Sequence, residues 1–168
     1  MNDRYTLILE TPFRPLKVDF TKEAVLRISW IDESELQKAN PSPVKVPLAS
    51  QIVQEISEYF DGRRKVFTLP CILPEGRPFF QRVWQEIMLI PYGETVSYGE
   101  LSRRAGKVKC AARAVGQACA RNPLPLIIPC HRVIKSDGSL GYYSAPDGES
   151  LKARLIAFER RNLNVEGR

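Results

Sequence analysis

The chain has 168 residues, 43% of them hydrophobic, 26% charged and 9% aromatic, which is the make-up of a folded chain with its own core and excludes a disordered tail. No apolar run approaches the roughly 20 residues that span a bilayer, and Met1-Asn2-Asp3-Arg4-Tyr5 does not begin a basic segment followed by an apolar one, so neither a membrane anchor nor an export signal is expected. The net charge of +6 is unevenly spread: residues 1–76 hold 10 Lys/Arg and 11 Asp/Glu, a net of −1, whereas residues 77–168 hold 15 and 8, a net of +7.

The first half reads as a small α/β unit. Tyr5, Leu7 and Leu9 alternate with Thr6, Ile8 and Glu10, and Leu26, Ile28 and Trp30 alternate with Arg27, Ser29 and Ile31, the period-2 pattern of half-buried strands. Asn40-Pro41-Ser42-Pro43 breaks the chain as a loop. From Leu48 the period becomes helical, with Ile52, Val53, Ile56, Tyr59 and Phe60 on one face, and Asp61-Gly62 ends it. Val66, Phe67 and Leu69 predict one more strand before Pro70, and 73–77 reads as a linker between a domain at 1–76 and a second at 77–168.

Pro78 suits the first turn of a helix, and Phe80, Val83, Trp84, Ile87 and Met88 continue it at helical spacing until Pro91-Tyr92-Gly93. Ser97 can cap a short helix that runs to about Ala105 and is closed by Gly106. A second short helix starts near Cys110 and carries Ala111, Ala112, Arg113, Ala114, Val115, Gly116, Gln117, Ala118, Cys119 and Ala120. Two short helices across a Gly-containing turn form a helix-turn-helix pattern, with a plain helical hairpin as the alternative. Residues 97–135 carry eight Lys/Arg against the single acid Glu100. That concentration points to a polyanion, nucleic acid first, with a solvated basic face as the alternative. The small residues of the second helix allow close approach but little reading of base edges, as in a backbone-directed minor-groove mode. Tight helix packing through the same residues is the competing reading.

The chemistry-bearing stretch is Leu124-Pro125-Leu126-Ile127-Ile128-Pro129-Cys130-His131-Arg132-Val133. Leu126, Ile127 and Ile128 predict a short buried extended segment that displays Cys130 at its end. A lone cysteine is most often a small core hydrophobe, but His131 is the chain's single histidine and Arg132 follows it, and a base and a cation beside a thiol favour the thiolate. Adjacent residues point apart, so a water between Cys130 and His131 is the easier link. On the last helix, Glu159 lies beside the stripe of Leu151, Leu155 and Phe158, where a carboxylate needs a partner. It orients His131, or it pairs with Arg154, Arg160 or Arg161. Four cysteines (Cys71, Cys110, Cys119 and Cys130) without a CxxC pair, and one histidine, argue against a structural metal, and no cofactor is expected.

These residues resemble the O6-alkylguanine-DNA alkyltransferases, also called methylated-DNA–protein-cysteine methyltransferases. The resemblance rests on Ile128-Pro129-Cys130-His131-Arg132-Val133, with Ala112-Arg113-Ala114-Val115-Gly116 and Arg121-Asn122-Pro123 upstream and Gly141-Tyr142-Tyr143-Ser144 downstream, and covers about 78 to 163. It implies an α/β (α+β) chain, with a small ribonuclease-H-like domain followed by a mainly helical one containing the helix-turn-helix. The implied activity is a single-use transfer of the alkyl group from O6-alkylguanine, and by extension O4-alkylthymine, in double-stranded DNA to Cys130.

The resemblance further implies His131 as base through water, Glu159 as its orienter and Asn122 as hinge. Tyr98 would meet the target phosphate and protonate guanine N3. Arg113 would fill the gap left by a flipped nucleotide, with Ala111, Ala112, Ala114 and Gly116 along the DNA. Carbonyls of Cys130 and Val133 would accept from the guanine amino group, the Ser144 amide would donate to O6, and Pro125 and Tyr143 would line the alkyl pocket. A cytoplasmic monomer needing no protein partner or membrane is expected. The zinc site of some relatives is not expected, since no histidine precedes His131 and the first cysteine is Cys71. The turn Gly106-Lys107-Val108-Lys109-Cys110 reads as about one residue longer than in some relatives. A Cys–His hydrolase and a helix-turn-helix regulator without chemistry are the rival readings.

Overall fold

The computed structural model describes residues 3–38, 44–106 and 111–166, for 165 and 166 the backbone alone. The chain divides into two compact units, Met1–Pro74 and Glu75–Arg168. Among the described residues no helix is long and apolar enough to cross a membrane.

The first unit is built on an antiparallel sheet of β1 (Tyr5–Leu9), β2 (Leu16–Phe20) and β3 (Val25–Trp30), in that order. Leu7, Val18 and Ile28 stand opposite one another across the three strands. β2 was not among the expected strands, although Leu16, Val18 and Phe20, all fully buried, alternate with Lys17 and Asp19 in the period-2 pattern. α1 (Glu33–Lys38) is a short polar helix that also escaped prediction, having no buried residue to give it a period. α2 (Pro47–Phe60) buries Leu48, Ala49, Ile52, Ile56 and Tyr59 at spacings of 3 and 4, so each contributes apolar area to one stripe. Val53, expected on that face, is 41% exposed because it lies a full 100° round from Ile52. Trp30 of β3 meets the Phe60 ring at 6.5 Å, edge to face.

The strand expected at Val66–Leu69 does not form. Val66 points to solvent, and Cys71 alone makes a parallel bridge to Val25. The reason is a buried carboxylate: Glu55 of α2 accepts from the Thr68 amide at 2.8 Å and from the Thr68 hydroxyl, while Gln51 donates to it at 2.9 Å. Those bonds satisfy polar groups that a ladder would otherwise pair.

The second unit is mainly helical. α3 (Pro78–Met88) carries proline at its first turn and buries Phe80, Val83, Trp84 and Ile87. α4 (Tyr98–Arg104) is capped by Ser97, whose hydroxyl accepts from the Glu100 amide at 3.1 Å. α5 (Ala112–Ala120) packs on α3 and α4 through Val115, Ala118 and Cys119. The Trp84 indole donates to the Ala118 carbonyl at 2.9 Å, and the buried Ser102 hydroxyl accepts from the Ala111 amide at 2.8 Å, so the two short helices are anchored by polar as well as apolar contacts. Residues 107–110, including Cys110 and the turn expected to be long, lie outside the described residues. A parallel pair, β4 (Val96–Ser97) and β5 (Val133–Ile134), sets Val133 beside Val96. This pairing brings the start of α4 to the segment that carries Cys130. α6 (Glu149–Glu166) closes the unit, with Leu151, Leu155 and Phe158 buried.

Candidate active site

Cys130 opens a single 3-10 turn, Cys130–Arg132, and all three of its residues are buried. The segment before it is a chain of turns where an extended run was expected. Pro123, Pro125 and Pro129 lack the amide hydrogens a strand requires, the Leu124 amide donates to the Asn122 side-chain oxygen at 2.9 Å, and the Ile128 amide donates to the Leu124 carbonyl at 2.8 Å. Leu126 is held at φ 75°, a left-handed conformation that costs a leucine about 1–2 kcal/mol. Burial of its side chain, 2% exposed, offsets that strain.

Asn122 organises the thiol. Its amide nitrogen donates to the Ile128 carbonyl at 2.7 Å and to Cys130 Sγ at 3.0 Å, while its backbone amide donates to the Cys119 carbonyl at 3.1 Å. Asn122 therefore links the end of α5 to the Cys130 turn. Burial pushes the Cys130 thiol above the ordinary cysteine value, and the Asn122 amide and the Lys152 ammonium pull it back without overcoming burial. The cation that acts on the thiol is thus Lys152 and not Arg132, two positions along, whose guanidinium is committed elsewhere.

His131 and Arg132 share one carboxylate. His131 Nε2 lies 2.7 Å from Glu159 Oε1; Arg132 Nε donates to Oε2 at 2.9 Å and its Nη2 to Oε1 at 2.9 Å. The Gly93 amide adds a bond to Oε2 at 2.9 Å, and Arg132 Nη1 donates to the Ile90 carbonyl at 2.6 Å. Glu159 thereby joins His131, as one of the two alternatives held, while Arg160 reaches Gly93 and Thr95 instead. Burial would raise the Glu159 carboxyl, but the His131 ring and the Arg132 guanidinium outweigh it and hold the group well below the carboxylate range. Burial pushes His131 below the ordinary imidazole value against the pull of Glu159, so the ring is neutral. An ionised carboxylate only accepts, so Nε2 carries the hydrogen and Nδ1 keeps its lone pair. Nδ1 is buried and makes no hydrogen bond among the described residues. A neutral imidazole fixed in that tautomer keeps a lone pair able to take a proton, one residue along the chain from the thiol.

Lys152 escaped the sequence reading. It is buried on α6, donates from Nζ to the Tyr98 hydroxyl at 3.2 Å and stands 5.4 Å from the centre of the Tyr98 ring. Burial lowers its pKa, and the Cys119 and Cys130 thiols oppose that. Burial likewise pushes the Tyr98 hydroxyl up, assisted by both thiols. The available signal was spacing: Lys152, Ile156 and Glu159 stand at i, i+4 and i+7, one helical face holding two charged groups around a buried isoleucine.

The remaining candidates fall into two groups. Val133, Pro125 and Tyr143 are buried near the Cys130 turn in sequence, and Ser144 is exposed. Gly141, at φ 76°, leaves room for the Tyr98 hydroxyl, which would lie 3.2 Å from any Cβ placed there. On α5, Arg113 and Gln117 project outward, with Ala112, Ala114 and Gly116 half-buried and Ala111 at the helix start. The site is therefore a buried thiol with an imidazole, a carboxylate and an ammonium in the same unit, next to a helix pair presenting small residues and an exposed arginine.

Residues 78–161 match the family described as "6-O-methylguanine DNA methyltransferase, DNA binding domain". The chain is 38% identical over 161 residues to the constitutive methylated-DNA–protein-cysteine methyltransferase of Bacillus subtilis, covering 93% of this chain and 95% of that one. It is 44% identical over 132 residues to the bifunctional transcriptional activator and DNA repair enzyme Ada of Escherichia coli, covering 77% of this chain and 36% of Ada. The crystal structure of Mycobacterium tuberculosis O6-methylguanine methyltransferase superposes with a TM-score of 0.81 at 32% identity, over 95% of this chain and 94% of that one. That of Mycobacterium tuberculosis OGT in complex with DNA gives 0.78 at 34% identity, over 92% of each. The mixed α/β architecture with one small antiparallel sheet is common to this chain and those structures. Sequence match and architecture agree along nearly the whole length, and the chain belongs to the methylated-DNA–protein-cysteine methyltransferase family.

Proposed function

We propose that the chain repairs DNA by moving the alkyl group of O6-alkylguanine, or of O4-alkylthymine, onto Cys130. One observation carries this reading: the Cys130 sulfur accepts from Asn122 at 3.0 Å beside a neutral His131 whose buried Nδ1 is unpaired. The thiol proton passes through a water to Nδ1, Glu159 holds the resulting imidazolium, and the thiolate attacks the alkyl carbon in line with the bond to O6. The carbon–oxygen bond breaks, a thioether forms, and guanine leaves as its N3 takes a proton from Tyr98, whose hydroxyl Lys152 supports at 3.2 Å. The thioether does not hydrolyse, so each molecule reacts once, and the protein itself being the acceptor, no cofactor is needed.

The finer assignments belong to the same reading. α4 and α5 act as a helix-turn-helix whose small residues, Ala111, Ala112, Ala114 and Gly116, approach the minor groove closely. Arg113, exposed on α5, enters the stack in place of the extruded nucleotide. Pro125, Val133, Tyr143 and Ser144 bound the guanine and alkyl pocket, and Asn122 couples α5 to the thiol. Residues 77–168 carry binding and chemistry; 1–76 form a ribonuclease-H-like scaffold. The protein acts as a cytoplasmic monomer.

The test is transfer itself. Duplex DNA with a labelled O6-methylguanine is incubated with the protein, and the label is located by peptide mass. One methyl per molecule on Cys130 is the expected result. Repeated turnover, as a hydrolase would give, or a label on any other residue overturns the proposal.

A further inference from the structure

Tyr142 has no part in the reaction described above, yet the residue is 73% exposed between two buried neighbours. On either side of it the loop is buried: Gly141 packs against the Tyr98 hydroxyl in a conformation only glycine adopts easily, and Tyr143 is 4% exposed. The Lys135 side chain also lies within 3.6 Å of where a Gly141 Cβ would be. Both residues that flank Tyr142 are therefore fixed, and the fixed backbone turns the Tyr142 ring outward beside the start of α4. A tyrosine ring is large, apolar on its faces and short of rotatable bonds, so it offers contact area at small entropic cost.

We propose that Tyr142 is a DNA-positioning residue: its ring packs on the sugar and base of the nucleotide flanking the one drawn toward Cys130. The inference rests on the alkyl-transfer reading above and adds a contact on the Tyr98 side of the site, separate from the Arg113 finger. Extrusion of one nucleotide exposes the faces of two neighbours; Arg113 in the gap covers one, and an aromatic ring held at the rim covers the other. The contact is apolar and releases no counterion.

The experiment compares wild type, Tyr142→Ala and Tyr142→Phe in two reactions, with a duplex containing O6-methylguanine and with free O6-benzylguanine. For Tyr142→Ala, the duplex rate constant falls about tenfold relative to the free-base rate constant, the scale of one aromatic–base stack. Tyr142→Phe keeps the ring and stays within about twofold of wild type on the same ratio. The slope of log affinity against log salt is the same for all three, because no phosphate contact is lost. An unchanged ratio for Tyr142→Ala, equal loss in Tyr142→Phe, or a shallower salt slope overturns the inference. A wild-type protein that transfers no alkyl group to Cys130 overturns the alkyl-transfer reading itself, a distinguishable outcome.

Discussion

Replacing Glu159 by Gln is the sharpest test of how the buried network works. The side chain is 1% exposed and receives hydrogen bonds from His131, from two nitrogens of Arg132 and from Gly93. An amide of the same shape keeps one acceptor oxygen but turns its NH2 toward donors, and it removes the charge that balances Arg132. Breaking a buried pair from one side costs about 3–5 kcal/mol, and the near-isosteric change falls at the low end, about 3 kcal/mol. For a chain of this size that is a fall in Tm of about 6–12 °C. Alkyl transfer slows by about 10²–10⁴-fold, because the imidazole loses both its tautomer and the charge that stabilises its protonated form. The double variant Glu159→Gln with Arg132→Met removes the stranded cation. It should recover about 1–3 kcal/mol relative to the sum of the single losses while transfer stays slow. Thermal unfolding followed by circular dichroism and single-turnover kinetics on a labelled duplex give the two readouts. If Glu159→Gln melts within about 2 °C of wild type and the pair of substitutions is additive, the carboxylate is not holding the network together.

Acid should destabilise the protein in two stages. His131 is held neutral below the ordinary 6.5 and Glu159 ionised below the ordinary 4.5, so the unfolded chain binds more protons at both groups. Their stabilisation is full above those ordinary values and is lost as pH falls, first through His131 and then through Glu159. Urea midpoints at a series of pH values check this, and a midpoint constant from about pH 7.5 to 5 would refute it. Lys152→Met should slow reaction with free O6-benzylguanine by about tenfold by removing the pull on the thiol. It should leave Tm unchanged or higher, since an ammonium no longer has to be buried; a full-speed variant would show that Lys152 is only structural. Arg113→Ala should weaken repair of duplex DNA more than reaction with the free base, and wild-type affinity should fall steeply with salt. Equal losses on both substrates would remove the finger role, and a flat salt dependence would move the DNA face away from 97–135.

Much of the architecture was legible from periodicity. The helices from Pro47 and from Pro78, the strands at Tyr5–Leu9 and Val25–Trp30, and the Ser97 cap all follow from spacing and local chemistry. β2 was legible and overlooked, for Leu16, Val18 and Phe20 carry the same signal. Two segments misled for a common reason. Val66–Leu69 and Leu126–Ile128 are apolar enough for strands, but their backbone groups bond to Glu55 in one case and within a proline-rich turn pinned by Asn122 in the other. Hydrophobicity reports burial and says nothing about which partner satisfies the backbone.

The same division holds for the site. Sequence alone singled out Cys130, His131 and the helix pair with its basic surroundings, because a Pro-Cys-His-Arg core, small helical residues and an excess of Lys/Arg are local or additive properties. Tertiary structure decided which partner each cation meets. Arg132, two positions from the thiol in sequence, is drawn to Glu159, and the ammonium that acts on Cys130 is that of Lys152, 22 positions along the chain and held against Tyr98. Charge interactions depend on distance and burial in space; a 3-10 turn and a helix packed across it set both, and neither can be read from the order of residues.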